Sequence, residues 1–154
     1  MRAYFLDSSA LIKRYVAETG TGWIQALTAP STGNKLIIAR ITWVEVLSAL
    51  ARRRRAGTLS PTDVARVIQF FHYDLDTQYQ VVEMDQALAE AAGELVRRQP
   101  LHAYDAIQLA SALRIQPAFA RANPAALIFL AADDILVATA QAEGLPADNP
   151  NHHA

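Results

Sequence analysis

Residues 4–13 read YFLDSSALIK, an apolar run that ends on an acid, continues with two serines and then becomes apolar again. The apolar residues at 3–6 have the length and character of a short buried strand. Asp7 therefore stands at the predicted carboxyl end of that strand. Either Asp7 or Ser8 is a suitable N-cap for a helix that follows, because both side chains accept hydrogen bonds from free backbone N–H groups. Capping alone would explain the acid, so any second role has to be argued from the rest of the chain.

The rest of the chain alternates short apolar runs with longer helical patterns. Further strands are predicted at 36–39, 79–82 and 126–130. Spacing, caps and breakers predict helices at 10–17, 23–27, 43–55, 60–71, 85–98, 103–115 and 133–143, with a loose segment around Pro117 and Pro124. Short apolar strands separated by helices indicate an α/β fold, a three-layer α/β/α sandwich with a central parallel sheet.

Composition is typical of one globular domain, since 52% of the 154 residues are hydrophobic and 19% are charged. We expect this domain to cover 1–148 and a polar C-terminal tail to cover 149–154, with His152 and His153 disordered. The absence of cysteine excludes disulfides and thiolate metal sites. We find no secretory signal pattern and no apolar run of about 20 residues, so the sequence predicts a soluble, cytoplasmic protein without a membrane partner.

Charge is unevenly distributed, although the net charge is only −1. Residues 35–66 contain seven Lys or Arg against two acids, whereas residues 67–96 contain six acids and neither Lys nor Arg. This pattern predicts one basic and one acidic side of the molecule.

Acids recur where other predicted strands end. Asp133 and Asp134 follow the fourth predicted strand, and Glu45 lies in the first turns of the helix after the second. Each has an ordinary structural alternative, because Thr42 and Glu45 fit a capping box and either aspartate is able to cap the last helix. Ligands of parallel α/β sheets bind at the carboxyl ends of the strands, so these acids are also candidates for a shared site.

The acid that is hardest to explain by capping is Asp105, which lies in an otherwise apolar or small-residue segment. Helical spacing puts it on the same stripe as Leu109 and Ala112, a face that should point inward. Burying an unpaired carboxylate costs on the order of several kcal/mol. A cluster of such acids stays ionised only when a cation joins it. Oxygen-only ligands favour Mg²⁺ or Mn²⁺, and a pocket without a phosphate loop suggests a phosphate-containing substrate attacked by metal-activated water.

Four segments together resemble the acidic motifs of PIN-domain ribonucleases, and especially those of the VapC toxins of toxin–antitoxin pairs. The segments are YFLDSSALIK at 4–13, TWVEVL at 42–47, YDAIQLA at 104–110 and FLAADDIL at 129–136. They occur in the family's order and span nearly the whole chain. The resemblance implies a PIN-like α/β/α endoribonuclease that uses Mg²⁺ or Mn²⁺ to hydrolyse RNA. It also implies a homodimer and a cognate antitoxin that occupies the active-site groove.

By position, the resemblance assigns four acids to the catalytic metal site, namely Asp7, Glu45, Asp105 and Asp133. Asp7 and Asp105 would be direct metal ligands, while the other two would act through water or bind a second metal. Ala131 stands where the family often has Ser or Thr, so Asp134 stays a rival for the role of Asp133.

The same resemblance suggests residues that would bind the substrate. Ser8 or Ser9 would orient a ligand or a phosphate, and Lys13 is preferred to Arg14 as a phosphate contact. The arginines at 52–55 would either contact RNA phosphates or, as the favoured interpretation, form a solvated helix end. The length of the segment 116–125 also suggests a dimer or partner surface.

Three other functions compete with this interpretation. An acid-site Mg²⁺ phosphatase would need a second Asp two residues after the first, where Ser9 stands. A phosphoacceptor receiver domain would need a pair of acids at the end of the first strand, where Asp7 stands alone. A non-catalytic PIN-fold binding module stays open, although such a module would have no use for four acids at one edge of the sheet.

Overall fold

A five-stranded sheet forms the centre of the protein in the computed structural model, which describes residues 1–121 and 126–154. The strands are β1 (Ala3–Leu6), β2 (Lys35–Ala39), β3 (Tyr79–Val82), β4 (Leu127–Leu130) and β5 (Ala147–Asp148). Neighbouring strands are parallel and their order is β3-β2-β1-β4-β5. The predicted parallel sheet is therefore confirmed. The additional edge strand β5 was not predicted, because two residues carry no apolar pattern.

Seven α-helices connect and cover the strands within the described residues. They are α1 (Ser8–Leu11), α2 (Thr21–Thr28), α3 (Thr42–Arg55), α4 (Pro61–Thr77), α5 (Gln86–Arg98), α6 (Ala103–Arg121) and α7 (Asp134–Ala142). After α1 the chain tightens into a 3₁₀ turn at Ile12–Arg14, so the helix predicted at 10–17 is wrong in its second half. None of the described helices combines the length and the apolar character needed to cross a bilayer.

Alternate side chains of each strand face opposite helical layers. Phe5 of β1 and Phe129 of β4 stack with ring centroids 5.6 Å apart, in a core that is closed by α5, α6 and α7. Leu6 and Ile38 point the other way, into a core that is closed by α1, α2, α3 and α4. Both faces of the sheet are thus covered, which confirms the predicted three-layer α/β/α sandwich.

Helix α6 continues to Arg121, so the loose segment that was predicted from Gln116 onward is wrong as far as Arg121. Pro117 lies inside the helix. A proline there removes one backbone hydrogen bond. Phe119 packs against the core in the turn that follows, which offsets this cost. The rest of the predicted loose segment, including Pro124, lies outside the described residues.

The C-terminal residues do not form the polar tail that was predicted at 149–154. Asn149 and Pro150 are buried, and a 3₁₀ turn covers Pro150–His152. The His153 ring stacks on Trp23 of α2 with centroids 4.0 Å apart and planes 5° apart. Polar residues are poor indicators of such docking, because here it depends on shape and hydrogen bonds rather than on an apolar stripe.

Gly20, which precedes α2, lies against the backbone of this C-terminal segment. Its φ of +86° is a left-handed conformation, and a Cβ atom at this position would lie 2.4 Å from the carbonyl oxygen of Pro150. Both features select glycine. The start of α2 and the C-terminal segment are therefore held together at a point that tolerates no side chain.

We expect Gly20→Ala to lower the free energy of unfolding by about 2–4 kcal/mol, through backbone strain and the clash with Pro150. The matched control is Gly22→Ala, two residues along, where nothing lies within 4 Å of an added Cβ. We expect this control to leave stability unchanged or to raise it by up to about 1 kcal/mol, because alanine favours helix over glycine. Urea unfolding of both variants measures the difference. Equal stabilities would contradict the docking of the C-terminal segment on Gly20.

Candidate active site

The sheet order reverses direction at its centre, because β2 and β3 lie on one side of β1 whereas β4 and β5 lie on the other. Parallel α/β sheets bind ligands at such a point, beyond the carboxyl ends of the strands. Asp7 follows β1 directly, and its backbone N–H donates to Leu130, the last residue of β4, at 2.9 Å. The chain thus brings the ends of β1 and β4, with the acids that follow them, to one place.

Asp7 is buried, with an exposed fraction of 4%. Its Oδ2 accepts hydrogen bonds from the backbone N–H of Ser9 at 3.1 Å and from the Ser9 hydroxyl at 2.5 Å, so it does cap α1. Its Oδ1 is buried and has no hydrogen-bond partner among the described residues. Burial raises the pKa of Asp7 to about 7; the charges of Glu45 and Asp105 add to this effect, while the bonds from Ser9 oppose it.

Ser9 is held between two strand ends. Its hydroxyl donates to Asp7 and accepts the backbone N–H of Ala132, two residues after β4, at 2.9 Å. Ser9 therefore orients the Asp7 carboxylate. Ser8 is half-buried and lies on the groove that is described below.

Glu45 is held by a residue that the sequence analysis missed. The N-cap of α3 is Ile41, which makes no side-chain cap, so the capping box predicted for Thr42 and Glu45 is wrong. The Gln108 side chain from α6 instead donates to the Thr42 hydroxyl at 2.9 Å and to Glu45 Oε1 at 2.6 Å. Burial raises the pKa of Glu45, while the hydrogen bond from Gln108 and the nearby Ser8 hydroxyl oppose the shift.

Asp105 and Asp133 form the other side of the acidic cluster. Asp105 lies in the first turn of α6, where burial raises its pKa and the negative charge of Asp133 raises it further. Asp133 is exposed and caps α7, because its Oδ1 accepts the N–H groups of Ile135 and Leu136 at 2.9 and 3.2 Å. The predicted capping role is confirmed for Asp133. The cap uses only Oδ1, so the other carboxylate oxygen is not part of it.

The neighbouring Asp134 turns toward the C-terminal segment instead. Its Oδ1 accepts a hydrogen bond from Asn149 at 2.8 Å and lies 3.2 Å from His152 Nε2. Both contacts use Oδ1 of Asp134 and hold this side chain against the C-terminal segment.

The four acids interact electrostatically, and their donor set is suited to a hard cation. Carboxylate oxygens are ligands that Mg²⁺ and Mn²⁺ prefer, and Oδ1 of Asp7 is a buried acceptor that no donor of the described residues reaches. No three Asp, Glu or His side chains of the described residues are arranged to enclose an ion. The residues therefore fit a metal ion by chemistry and burial, while a complete coordination shell would need further oxygen ligands or side-chain adjustment.

A groove of about 840 Å³ opens beside the acids. Of the four acids, Glu45 lines it, together with Ser8, Ser9 and Ala132. The cationic residues on its wall are Lys13, Arg52 and Arg53. Two of the four consecutive arginines therefore face this groove, where a solvated helix end was the favoured prediction.

Glu18 connects two of the cations. Lys13 is only 4% exposed, and its Nζ lies 2.9 Å from Glu18 Oε1. Arg53 lies 3.0 Å from the other oxygen of the same carboxylate. The predicted phosphate contact Lys13 thus lies on the groove wall, in an ion pair with a residue that sequence reasoning did not select.

Arg14 lies elsewhere. Its guanidinium donates to the Tyr79 hydroxyl at 2.8 Å and to Gln78 Oε1 at 2.7 Å, and it lies 3.4 Å from Asp74. These contacts belong to α4 and β3, and Arg14 is not a groove residue. The structure therefore gives no support to Arg14 as a substrate contact.

The sequence contains one signal for the missed Gln108, which is a polar residue on a helix whose neighbours are apolar or small. Glu18 has no such signal, because its partners are separated from it by loops. Both residues act by holding other side chains, and their roles depend on contacts between elements that are distant in sequence.

Comparison with known proteins agrees with this architecture. The amino-acid sequence matches the family model of the PIN domain over residues 4–123. It is 30% identical over 115 residues to Ribonuclease VapC45 of Mycobacterium tuberculosis (strain CDC 1551 / Oshkosh), and the match covers 75% of this chain and 78% of that protein.

Solved structures have the same fold. The crystal structure of VapBC2 from Rickettsia felis, bound to a DNA fragment from its promoter, superposes with a TM-score of 0.62 at 10% identity, covering 96% of this chain and 98% of that one. A toxin–antitoxin complex from Klebsiella pneumoniae gives a TM-score of 0.61 at 21% identity, covering 96% of this chain and 97% of that one. At these identities the similarity concerns the fold alone.

The raised pKa of Asp7 predicts how stability depends on pH without metal. Between about pH 4 and pH 7 the folded state holds a proton that the unfolded state has lost. Stability should therefore fall as pH rises through this range, by at most about 1.4 kcal/mol per pH unit. Asp7→Asn should remove most of this slope and be more stable than the wild type above pH 7. Thermal unfolding in EDTA across the range measures both curves, and parallel curves would contradict the assignment of the slope to Asp7.

Proposed function

Because the chain belongs to the PIN-domain family and is homologous to the VapC ribonucleases, we propose that it is a metal-dependent endoribonuclease and the toxin of a toxin–antitoxin pair. The expected family membership is confirmed by these comparisons. The observation that carries the proposal is the buried Asp7 carboxylate, which has one oxygen without a hydrogen-bond donor in the part of the chain that the structure describes and whose pKa is raised by the charges of Glu45 and Asp105. Such a group destabilises the fold unless it binds a cation or a proton.

Asp7 and Asp105 would hold Mg²⁺ or Mn²⁺ directly, and Glu45 and Asp133 would act through water or a second ion. When bound, the ion supplies positive charge for a phosphodiester group and lowers the pKa of a water molecule. Ser9 fixes the orientation of Asp7 by two hydrogen bonds, and a further bond from Gln108 holds Glu45.

The groove would bind RNA through its phosphates. Ser8 and Lys13 line it close to the acids, and Arg52 and Arg53 extend the positive charge along the same wall. Each cation that contacts a phosphate adds affinity that weakens as salt concentration rises. An RNA substrate also places the proposed action in the cytoplasm.

An antitoxin and a second copy of the chain are the proposed protein partners. Two structural relatives are described as VapBC2 and as a toxin–antitoxin complex. On this chain, Phe70 and Tyr73 of α4 are both exposed and lie three residues apart on one face of the helix. An exposed aromatic pair of this kind suits a protein interface.

The nuclease proposal predicts that purified protein, free of antitoxin, cleaves RNA in Mg²⁺ or Mn²⁺ and not in EDTA. Asp7→Asn and Asp105→Asn should abolish cleavage, because each removes a charged ligand with little change in shape. Gel analysis of a panel of transfer, messenger and ribosomal RNAs measures the activity. If the wild type and Asp7→Asn degraded the panel equally, the nuclease proposal would be wrong, and a non-catalytic binding module would become the better interpretation.

A second experiment distinguishes the two candidates for the fourth acid. Asp133→Asn should reduce cleavage by about tenfold or more, as expected for a ligand or a water-positioning group. It should still fold, because asparagine caps helices as well as aspartate does. Asp134→Asn is the matched control and should retain activity, since Asp134 contacts Asn149 and His152. The opposite ranking in single-turnover cleavage would assign the role to Asp134.

A further inference from the structure

The groove beside the acids has an apolar end that phosphate binding does not explain. Tyr104 and Val44 line it, and both are largely exposed, with exposed fractions of 61% and 63%. Exposed apolar side chains that line a groove together are typical of a site that binds a ligand or a partner. Neither residue belongs to the buried cores.

Contacts between α6 and α3 determine where this apolar end lies. Gln108 of α6 binds Glu45 of α3, and Tyr104 precedes Gln108 by one helical turn on the same face of α6. Val44 directly precedes Glu45 in the sequence. Tyr104 and Val44 therefore flank the acids, next to Asp105 on one helix and Glu45 on the other.

Cations lie along another part of the wall of the same groove. Lys13 and Arg53 are connected there through Glu18, and Arg52 lies beside them. Nucleic acid has both chemistries, with anionic phosphates and flat apolar bases. A groove lined by cations, by Glu45 and by an exposed aromatic ring has the chemistry to bind a single strand, with its phosphates at the cations and an unpaired base at the ring.

We propose that Tyr104, supported by Val44, forms a nucleobase subsite that stacks on an unpaired base of single-stranded RNA next to the phosphate held at the acids. This inference rests on the proposed nuclease function and adds to it the part of the substrate that is recognised. Tyr104 has no hydrogen-bond or stacking partner among the described residues, so its ring is available to a ligand. Because every base has a stacking face, the subsite selects unpaired RNA rather than one base.

Direct binding tests the subsite without cleavage. Labelled oligoadenylate and oligouridylate of about ten nucleotides, a length within the usual range for single-strand sites, are titrated with protein in EDTA. Tyr104→Leu should weaken binding by about tenfold, the loss expected for one stacked base. Tyr104→Phe, which keeps the ring, should bind like the wild type.

Salt dependence separates stacking from charge. Tyr104→Leu should leave the slope of log affinity against log salt unchanged, because no phosphate contact is lost. Arg53→Gln should reduce that slope by about one. A changed slope in Tyr104→Leu would overturn the stacking assignment.

Abasic substitution identifies the base that is bound. One abasic position in the oligonucleotide should cost the wild type about tenfold in affinity and cost Tyr104→Leu almost nothing, since the stacking partner is already missing. Equal losses of affinity in both proteins on abasic substitution would overturn the proposal. It would also be overturned if Tyr104→Leu bound RNA normally but bound the antitoxin more weakly, because Tyr104 would then be a protein-interface residue. If the wild type cleaves RNA with Mn²⁺ but Tyr104→Leu binds RNA as tightly as the wild type, the nucleobase subsite is wrong and the nuclease function stands. If the wild type neither binds nor cleaves RNA, the nuclease function fails with it.

Discussion

The hydroxyl of Ser9 joins the two strand ends on which the candidate site depends. It donates to the Asp7 carboxylate after β1 and accepts from the Ala132 backbone after β4. With the hydrogen bond from Asp7 N–H to Leu130, it closes the point where the sheet order reverses. A parallel sheet leaves a crevice at this point, and Ser9 positions a carboxylate in it. The other three acids approach from α3, α6 and the start of α7, so their convergence depends on how these helices pack on the same edge.

The fold was predictable from the sequence because it depends on local pattern, and the same pattern indicated which acids are candidates for the site. Short apolar runs define parallel strands, and a residue directly after such a run lies at the carboxyl edge of the sheet whatever the details of packing. Asp7 follows from this rule alone, whereas the rule does not distinguish Asp133 from Asp134, because both lie a few residues after β4. Capping and a role in the site were treated as alternatives in the sequence, whereas Asp7 and Asp133 cap helices and also face the other acids. In Asp7 one carboxylate oxygen is hydrogen-bonded to Ser9 while the other is buried without a donor among the described residues, and sequence spacing does not predict this difference.

What the sequence did not predict depends on contacts between distant elements. Gln108 reaches Glu45 across 63 positions, and Arg53 reaches Glu18 across 35. The C-terminal segment was taken for a free tail because its residues are polar. It packs instead through one glycine that permits close approach and one histidine ring that stacks on Trp23. Neither contact produces a periodic sequence pattern, because each depends on a single residue whose partner is known only from the folded structure.

The acidic cluster differs from two largely buried cations elsewhere in the molecule, each of which has an acidic partner. Arg14 lies against Asp74 and the Tyr79 hydroxyl, and the buried Lys13 is matched by Glu18. These two largely buried cations therefore each have an acidic partner. Asp7 differs, because the charges of Glu45 and Asp105 raise its pKa and one of its oxygens has no donor among the described residues. Local departures from good pairing are typical of functional sites, where stability is given up for binding. The proposed ligand, single-stranded RNA with a bound metal ion, would match the three features of this region. The metal ion would neutralise the acids, the phosphates would pair with the adjacent cations, and a base would stack on the aromatic ring.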